Sequence, residues 1–146
     1  MENISKDLIT IYRYGNNFEL YNDFYFIFDF DVTSKGFKLE KYLVGNNIIR
    51  IPKGFRTDFG SIPQLFQSII SPVGKPTKAY VLHDFLCGKS NKGDIPRALA
   101  DELFLDAMKL LGVNVVKRYV VWAWVRIYGI VYKPLVKFFK DIWNKL

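Results

Sequence analysis

Residues 77–112 read TKAYVLHDFLCGKSNKGDIPRALADELFLDAMKLLG, and this stretch decides the fold class of the C-terminal half. Thr77 can cap a first helix that runs to about Cys87, and residues 88–93 form a polar loop. Asp94 can cap a second helix. Its apolar residues recur at helical spacing and are Leu99, Leu103, Phe104, Ala107, Leu110 and Leu111. The stretch therefore predicts two antiparallel helices that pack against each other.

Helices are also predicted on either side of this pair. Upstream, Ser61 and Gln64 form a capping-box pattern, which predicts a short helix to about Ile70. Gly112 can end the second helix of the pair. The remaining C-terminal segment is helical as well, with Pro134 as a kink or break.

The first 56 residues are typical of antiparallel β-structure. The expected strands are residues 18–20, 24–30, 41–44 and 48–51. Asn22-Asp23 predicts a turn between the first two, and Gly45-Asn46-Asn47 predicts a hairpin between the last two.

These patterns predict one domain of the α+β class, with N-terminal antiparallel β hairpins followed by three or four packed helices. Its parts are a β-rich part at residues 1–60, a helical part at 61–112 with the His–Asp residues described below, and basic apolar C-terminal helices at 113–146. The length of 146 residues suits one domain and is enough to bury a core.

Composition excludes several classes of protein. Half of the residues are hydrophobic and 17% are aromatic, which is not the composition of a disordered chain. The single cysteine excludes an internal disulfide framework, and no Cys/His cluster has zinc spacing. The N-terminus lacks the apolar run of a secretory signal, so we expect synthesis and folding in a reducing cytoplasm.

The net charge of +7 lies mainly in the tail. Residues 113–146 carry seven Lys and Arg side chains and one acidic side chain, whereas the rest of the chain is nearly balanced. This distribution predicts a local anionic partner, and no nucleic acid is expected as a partner.

His83, the only histidine, is the natural proton carrier of this chain. Asp101 lies where an inward carboxylate on the second helix can meet the imidazole, fix its tautomer and leave the other ring nitrogen as a base. Asp84 is about 100° round the helix from His83 and can border the same pocket as a ligand for a hard cation such as Ca²⁺. A metal could polarise an ester there while His83 activates water.

A purely structural interpretation stays open for the same residues. A His–Asp dipeptide on a helix is often a satisfied core pair. Asp58 follows residues IPKGFRT on a Gly- and Pro-rich loop, and it can be a metal ligand or can bond its own backbone in a turn. Arg97 can pair with Asp58 or Asp101 without any catalytic role.

Five ordered motifs resemble the bacteriophage and prophage family catalogued as domain of unknown function 1353. They are IPKGFRTDFGSIP at 51–63, HDFLC at 83–87, RALADELF at 97–104, the AMKLLGV that follows, and VRIYG at 125–129. The resemblance spans roughly residues 40–130. It implies a phage origin and no settled function.

The His–Asp residues also resemble phospholipases of the A2 class, including the cysteine-free version in parvovirus capsids. The resemblance implies that His83 is the base, that Asp84 binds calcium and that Asp101 orients His83. Gly74 lies roughly where those enzymes place a glycine-containing calcium loop. Two departures are that Cys87 stands where both families usually have Tyr and that the stretch around Gly74 has one glycine.

The tail carries two apolar patterns. Residues 119–132 are strongly apolar but hold Arg126, and they are shorter than the roughly 20 residues that a membrane-spanning helix needs. They predict packing against the domain, with Trp122 or Trp124 in the core. Residues 135–146 have the pattern of a basic amphipathic helix, which can lie on membrane lipid, in the groove of a phage structural protein, or against this domain.

Three functions are compatible with these expectations. The first is a bacteriophage protein with a phospholipase-like site for ester hydrolysis at the host envelope, with calcium as a cofactor. The alternative is a non-catalytic structural component of the phage tail or neck. A third is a host-takeover protein that binds a bacterial partner through its basic tail. Synthesis in the host cytoplasm is expected in each case, and the first two allow packaging in the virion.

Overall fold

The computed structural model describes residues 7–13, 17–57 and 76–146. Its strands all lie in the N-terminal half and its long helices in the C-terminal half, so the predicted α+β class is confirmed. The strands are β1 (Thr10–Tyr12), β2 (Phe18–Leu20), β3 (Phe24–Ile27), β4 (Leu43–Val44), β5 (Ile48–Ile51) and β6 (Arg56–Thr57). The long helices are α1 (Thr77–Asn91), α2 (Arg97–Leu110), α3 (Val115–Ile127) and α4 (Lys133–Lys145), with a π-helical segment at Tyr128–Tyr132. Two short 3-10 helices lie at Val32–Lys35 and Glu40–Tyr42.

The described strands form two antiparallel sheets, in the orders β1-β2-β6 and β3-β5-β4. The predicted hairpin is confirmed, because β4 pairs with β5 and Gly45 between them has a φ of +68°. The predicted turn at Asn22-Asp23 does not join a hairpin. It leads from β2 in one sheet to β3 in the other, because β3 pairs with β5, which comes later in the chain.

The two halves of the chain share one hydrophobic core. In β3 and β5 alternate residues are buried, such as Phe24 and Phe26 in β3. On the helical side, the Phe85 ring of α1 packs edge-on against Tyr42 at 5.0 Å and against Phe55 at 5.5 Å between ring centroids. These contacts fix α1, which carries His83, against the β part.

The ends of α1 and α2 differ from the sequence prediction. Pro76, not Thr77, is the N-cap of α1, and the helix continues four residues past Cys87 because its left-handed terminator is Gly93, with a φ of +83°. Asp94 does not cap α2. Its backbone N–H donates to the Lys89 carbonyl at 2.9 Å, and the extended Pro96 immediately precedes the helix. Gly112, with a φ of +76°, ends α2 as predicted.

The helix does not break at Pro134. The backbone N–H of Lys133 donates to the carbonyl of Tyr128, five residues earlier, and this wide π turn accommodates the following proline within a continuous helix. In α3, Val121 is buried and Trp122 packs partly against the core. Among the described helices, none combines the length and apolar content needed to cross a membrane.

The helices α1, α2 and α3 contribute buried residues to the core, whereas α4 contributes none. Of the three placements predicted for this segment, docking on its own domain is not seen among the described residues, since none of the residues of α4 is buried. The helix continues past the π-helical segment instead of folding back, and its apolar side chains therefore stay away from the core. The predicted helix at 61–70 lies outside the described residues.

Candidate functional site

His83 and Asp101 meet between α1 and α2. His83 lies in the second turn of α1 and Asp101 in the second turn of α2, and the two helices are joined by five residues. His83 Nε2 is 2.7 Å from Asp101 Oδ1, so the predicted hydrogen bond is confirmed. The catalytic role that the sequence suggested for this pair stays a prediction.

Two arginines complete the bonding of Asp101, whose side chain is 0% exposed. Arg97 Nε donates to Oδ1 at 2.9 Å, from one turn earlier in α2. Arg126 donates to Oδ2 at 3.0 Å, from the end of α3. The carboxylate therefore joins three helices, and Arg97 pairs with it. Asp58, the other predicted partner of Arg97, lies outside the described residues.

The sequence alone did not assign Arg126 to the site. It is 25 positions from Asp101, and the only signal was a single charge within an otherwise apolar run of residues. A charged side chain in such a segment is costly to bury without a partner. The contact with Asp101 supplies that partner.

The protonation states follow from burial and these bonds. Burial lowers the pKa of His83, and this outweighs the hydrogen bond from the ring to Asp101, so the imidazole is neutral near pH 7. Burial alone would raise the pKa of Asp101, but the hydrogen bonds from His83 and Arg97 outweigh it and lower that pKa. A neutral ring that donates from Nε2 to an ionised carboxylate keeps Nδ1 as a proton acceptor.

Other side chains surround the ring. Phe104 of α2 stacks on it with 4.4 Å between ring centroids and 28° between planes. Cys87 Sγ lies 3.4 Å from Nε2 and 3.8 Å from Nδ1. Burial raises the pKa of Cys87 to about 12, so this group is a thiol and not a nucleophilic thiolate at neutral pH.

A buried hydroxyl lies one turn before the histidine. Tyr80 is 2% exposed, and its ring packs 5.8 Å from that of Phe104. Its hydroxyl has no hydrogen-bond partner among the residues that the structure describes. Burial raises its pKa, so the phenol stays protonated. No sequence pattern singled out this hydroxyl, since an aromatic residue at helical spacing predicts only core packing.

Asp84 bonds a residue of the β part. Its Oδ2 accepts a hydrogen bond of 2.6 Å from the hydroxyl of Thr57, which is buried at the end of β6. This contact links α1 to the β part directly before Asp58. Asp58 and Gly74, the other predicted members of a calcium site, lie outside the described residues.

The residues around His83 do not suit a metal ion. Ligand atoms of His83, Cys87 and Asp101 lie within 4.8 Å of one another. However, both oxygens of Asp101 already accept hydrogen bonds from guanidinium groups, whose two positive charges would repel a cation. Calcium also prefers an all-oxygen set of ligands. If calcium binds this chain, Asp84 is the candidate ligand among the described residues.

An open depression of about 480 Å³ lies elsewhere, on the β part. It is lined by Thr33, Phe37, Lys38, Glu40, Leu43 and Gly45. None of these residues belongs to α1 or α2, so the depression is separate from the His–Asp pair.

The fold and site define an α+β protein with a buried His–Asp pair held by two arginines. The chain belongs to the family described as protein of unknown function (DUF1353), whose model matches residues 35–125. The matched residues include His83, Asp84, Arg97 and Asp101. No curated protein and no solved structure matches the chain.

Proposed function

We propose that this chain is a bacteriophage hydrolase in which His83, oriented by Asp101, activates water for attack on a lipid ester at the host envelope. The observation that carries the proposal is the 2.7 Å contact between His83 Nε2 and the buried Asp101 carboxylate. The phage assignment is supported by the ordered motifs at residues 51–63, 83–87, 97–104 and 125–129.

The proposed reaction needs one base. Nδ1 of His83 takes a proton from water as the water oxygen bonds to the ester carbonyl carbon. The bond to the leaving alkoxide then breaks, and the proton on Nδ1 passes to that oxygen, giving a carboxylic acid and an alcohol. Asp101 stays ionised throughout and stabilises the transient imidazolium.

In this proposal, Asp84 is the residue that would bind calcium. A calcium ion beside Asp84 would polarise the ester carbonyl or the phosphate of a lipid. One oxygen of Asp84 accepts a hydrogen bond of 2.6 Å from the Thr57 hydroxyl, so calcium binding would have to accommodate or displace that bond.

The test is release of fatty acid from anionic phospholipid vesicles, with calcium and with a chelator. His83→Gln retains an amide N–H that can bond Asp101 but has no base, and it should lose roughly 10²–10⁴-fold of the rate. Asp94→Asn, on an exposed loop residue, is the matched control and should keep the wild-type rate. Asp84→Asn should lose the calcium-dependent part only.

A structural role in the phage tail or neck is the second candidate. The observation that favours it is that the Asp101 carboxylate bonds His83, Arg97 and Arg126, which ties α1, α2 and α3 together without any substrate. If wild type and folded His83→Gln release fatty acid at the same background rate, this second candidate replaces the hydrolase.

A further inference from the structure

The end of the chain carries an uncovered apolar stripe, here called the tail stripe. Its members are Ile127, Ile130, Val131, Leu135, Phe138, Phe139, Ile142, Trp143 and Leu146. Each is at least 40% exposed, and Trp143 is 78% exposed. Successive turns contribute residues three or four positions apart, so they share one side of the helix.

The π-helical segment keeps this stripe continuous. A π turn holds more residues than an α turn, so four-residue steps through Tyr128–Tyr132 stay on one side of the helix. Ile127, Val131 and Leu135 are spaced in this way. The stripe therefore runs for 20 residues, from the end of α3 to the C-terminus of the sequence.

Contacts with the rest of the domain are seen at Gly129 and at Lys133, the first residue of α4. The Lys133 ammonium donates to the Asn91 side chain at the end of α1. The backbone at Gly129 lies so close to Arg97 that a Cβ there would be 3.1 Å from the guanidinium carbon. No residue of α4 is buried, so nothing in the described part of the domain covers the tail stripe.

The charges beside the tail stripe are mainly positive. Residues 133–146 carry Lys133, Lys137, Lys140 and Lys145 against one acidic residue, Asp141. Lys140 follows Val136 by one turn and Lys145 follows Phe138 by two, so both lysines border the apolar face. Lysines in that position can extend to anionic headgroups while the apolar face enters the acyl boundary.

We propose that residues 127–146 form an interfacial helix that binds an anionic lipid surface. The apolar face is broad, with adjacent bulky pairs such as Phe138-Phe139 and Ile142-Trp143, which differs from the narrow two-position seam of a coiled coil. Pairing with a second copy would also bring lysines of like charge together. The proposal does not depend on His83 acting as a catalyst.

The test measures binding of the full chain to vesicles of ether-linked lipids, which have no ester for the proposed hydrolase. Flotation should recover the protein with vesicles that contain phosphatidylglycerol and much less with phosphatidylcholine alone. Raised salt should weaken the binding, because the lysines act through screened charge. Tryptophan emission should shift to the blue on binding, and Trp143→Phe should remove most of that shift.

Two double variants test whether vesicle binding depends on the tail stripe or on exposed apolar side chains in general. Phe138→Ser/Phe139→Ser should lose binding by at least tenfold while its melting temperature is unchanged, since both side chains are exposed. The control is Val115→Ser/Val116→Ser, which removes exposed apolar side chains at the start of α3 and should bind like wild type. Equal binding by both double variants would overturn the proposal. So would self-association of the wild type that Phe138→Ser/Phe139→Ser abolishes, without binding to anionic vesicles.

Discussion

At the scale of single residues, Asp101 is where the bonds of three helices converge. It is fully buried and accepts hydrogen bonds from His83, Arg97 and Arg126. A buried carboxylate with this many donors is stable as an anion, whereas each donor without it would keep an unpaired charge or N–H group. The same carboxylate sets the tautomer of His83, so stability and the proposed chemistry depend on one side chain.

Replacing this carboxylate should therefore be costly. We expect Asp101→Asn to lower the free energy of unfolding by about 3–5 kcal/mol, because two guanidinium groups lose their counter-charge. The matched control is Glu102→Gln on the same helix, whose side chain is 54% exposed and pairs with Lys35. An exposed pair contributes about 0–1 kcal/mol. Denaturant unfolding of both variants is the measurement, and equal small effects would contradict the burial argument.

The lowered pKa of His83 predicts a dependence of stability on pH. The unfolded chain titrates this group near 6.5, above its pKa in the fold, so below that pH the unfolded state binds the proton first. The free energy of unfolding should fall with a slope of up to about 1.4 kcal/mol per pH unit as pH drops below 6.5. Above 6.5 the group contributes no slope.

Denaturant titrations at several pH values measure this slope. His83 is the only histidine, so the range between pH 6.5 and the titration of the carboxyl groups reports on it alone. His83→Gln should show no slope in that range. Asp101, Glu19 and Asp31 all have a lowered pKa in the fold, so each stabilises it at higher pH and ceases to do so as pH falls through the folded value. Loss of stability at lower pH therefore includes the contribution of Asp101.

At the scale of elements, the helical segment after α3 passes close to the Arg97 side chain. Gly129 lies against Arg97, and a Cβ at this position would be 3.1 Å from Cζ and 3.2 Å from Nε of that side chain. Arg97 cannot move freely, since it bonds both Asp101 at 2.9 Å and the Val125 carbonyl at 3.3 Å. The absence of a side chain at residue 129 therefore lets the helix pass directly over the site.

A double-mutant cycle tests this packing. Gly129→Ala should destabilise the wild-type protein, because the added methyl group displaces a guanidinium with two bonds. In an Arg97→Ala background the methyl group has room, and alanine should gain up to about 1 kcal/mol of helix preference over glycine. We expect a coupling free energy of about 1 kcal/mol or more between the two positions, measured by denaturant unfolding. The same effect in both backgrounds would contradict the contact.

At the scale of the whole molecule, the described chain has a packed part and a projecting part. The packed part joins both sheets to three helices through one core, and Thr57 bonding Asp84 adds a polar link between β6 and α1. The projecting part is α4, which contributes no buried residue. Stability should therefore depend on residues before the tail, and surface binding on the tail itself.

Removal of residues 134–146 tests this division. We expect the truncated protein to keep the melting temperature of the full chain to within about 2 °C, because no buried apolar surface is lost. Val121→Ala is the contrasting variant, since Val121 is 4% exposed and losing its two methyl groups should cost about 1–2 kcal/mol. Thermal unfolding in the absence of lipid gives both results. Aggregation or unfolding of the truncated protein would place the tail stripe in the core instead.

The sequence by itself determined the fold class, the β4–β5 hairpin, the end of α2 at Gly112 and the meeting of His83 with Asp101. These features depend on local signals: turn residues, a left-handed glycine and apolar periodicity on two helices joined by a short loop. The helix starts differ from the prediction. Thr77 and Asp94 both have side chains that can cap a helix, but Pro76 and Pro96 are the residues directly before the two helices.

Only the tertiary structure decided which strands pair, which charge reaches Asp101 and whether α4 packs. Pairing of β3 with β5 and the contact of Arg126 with Asp101 join residues 21 or more positions apart, and no local pattern specifies such contacts. An amphipathic helix has the same periodicity whether it covers its own domain or another surface. Here the helix continues through the π turn at Tyr128–Tyr132 into α4, and no residue of α4 is buried.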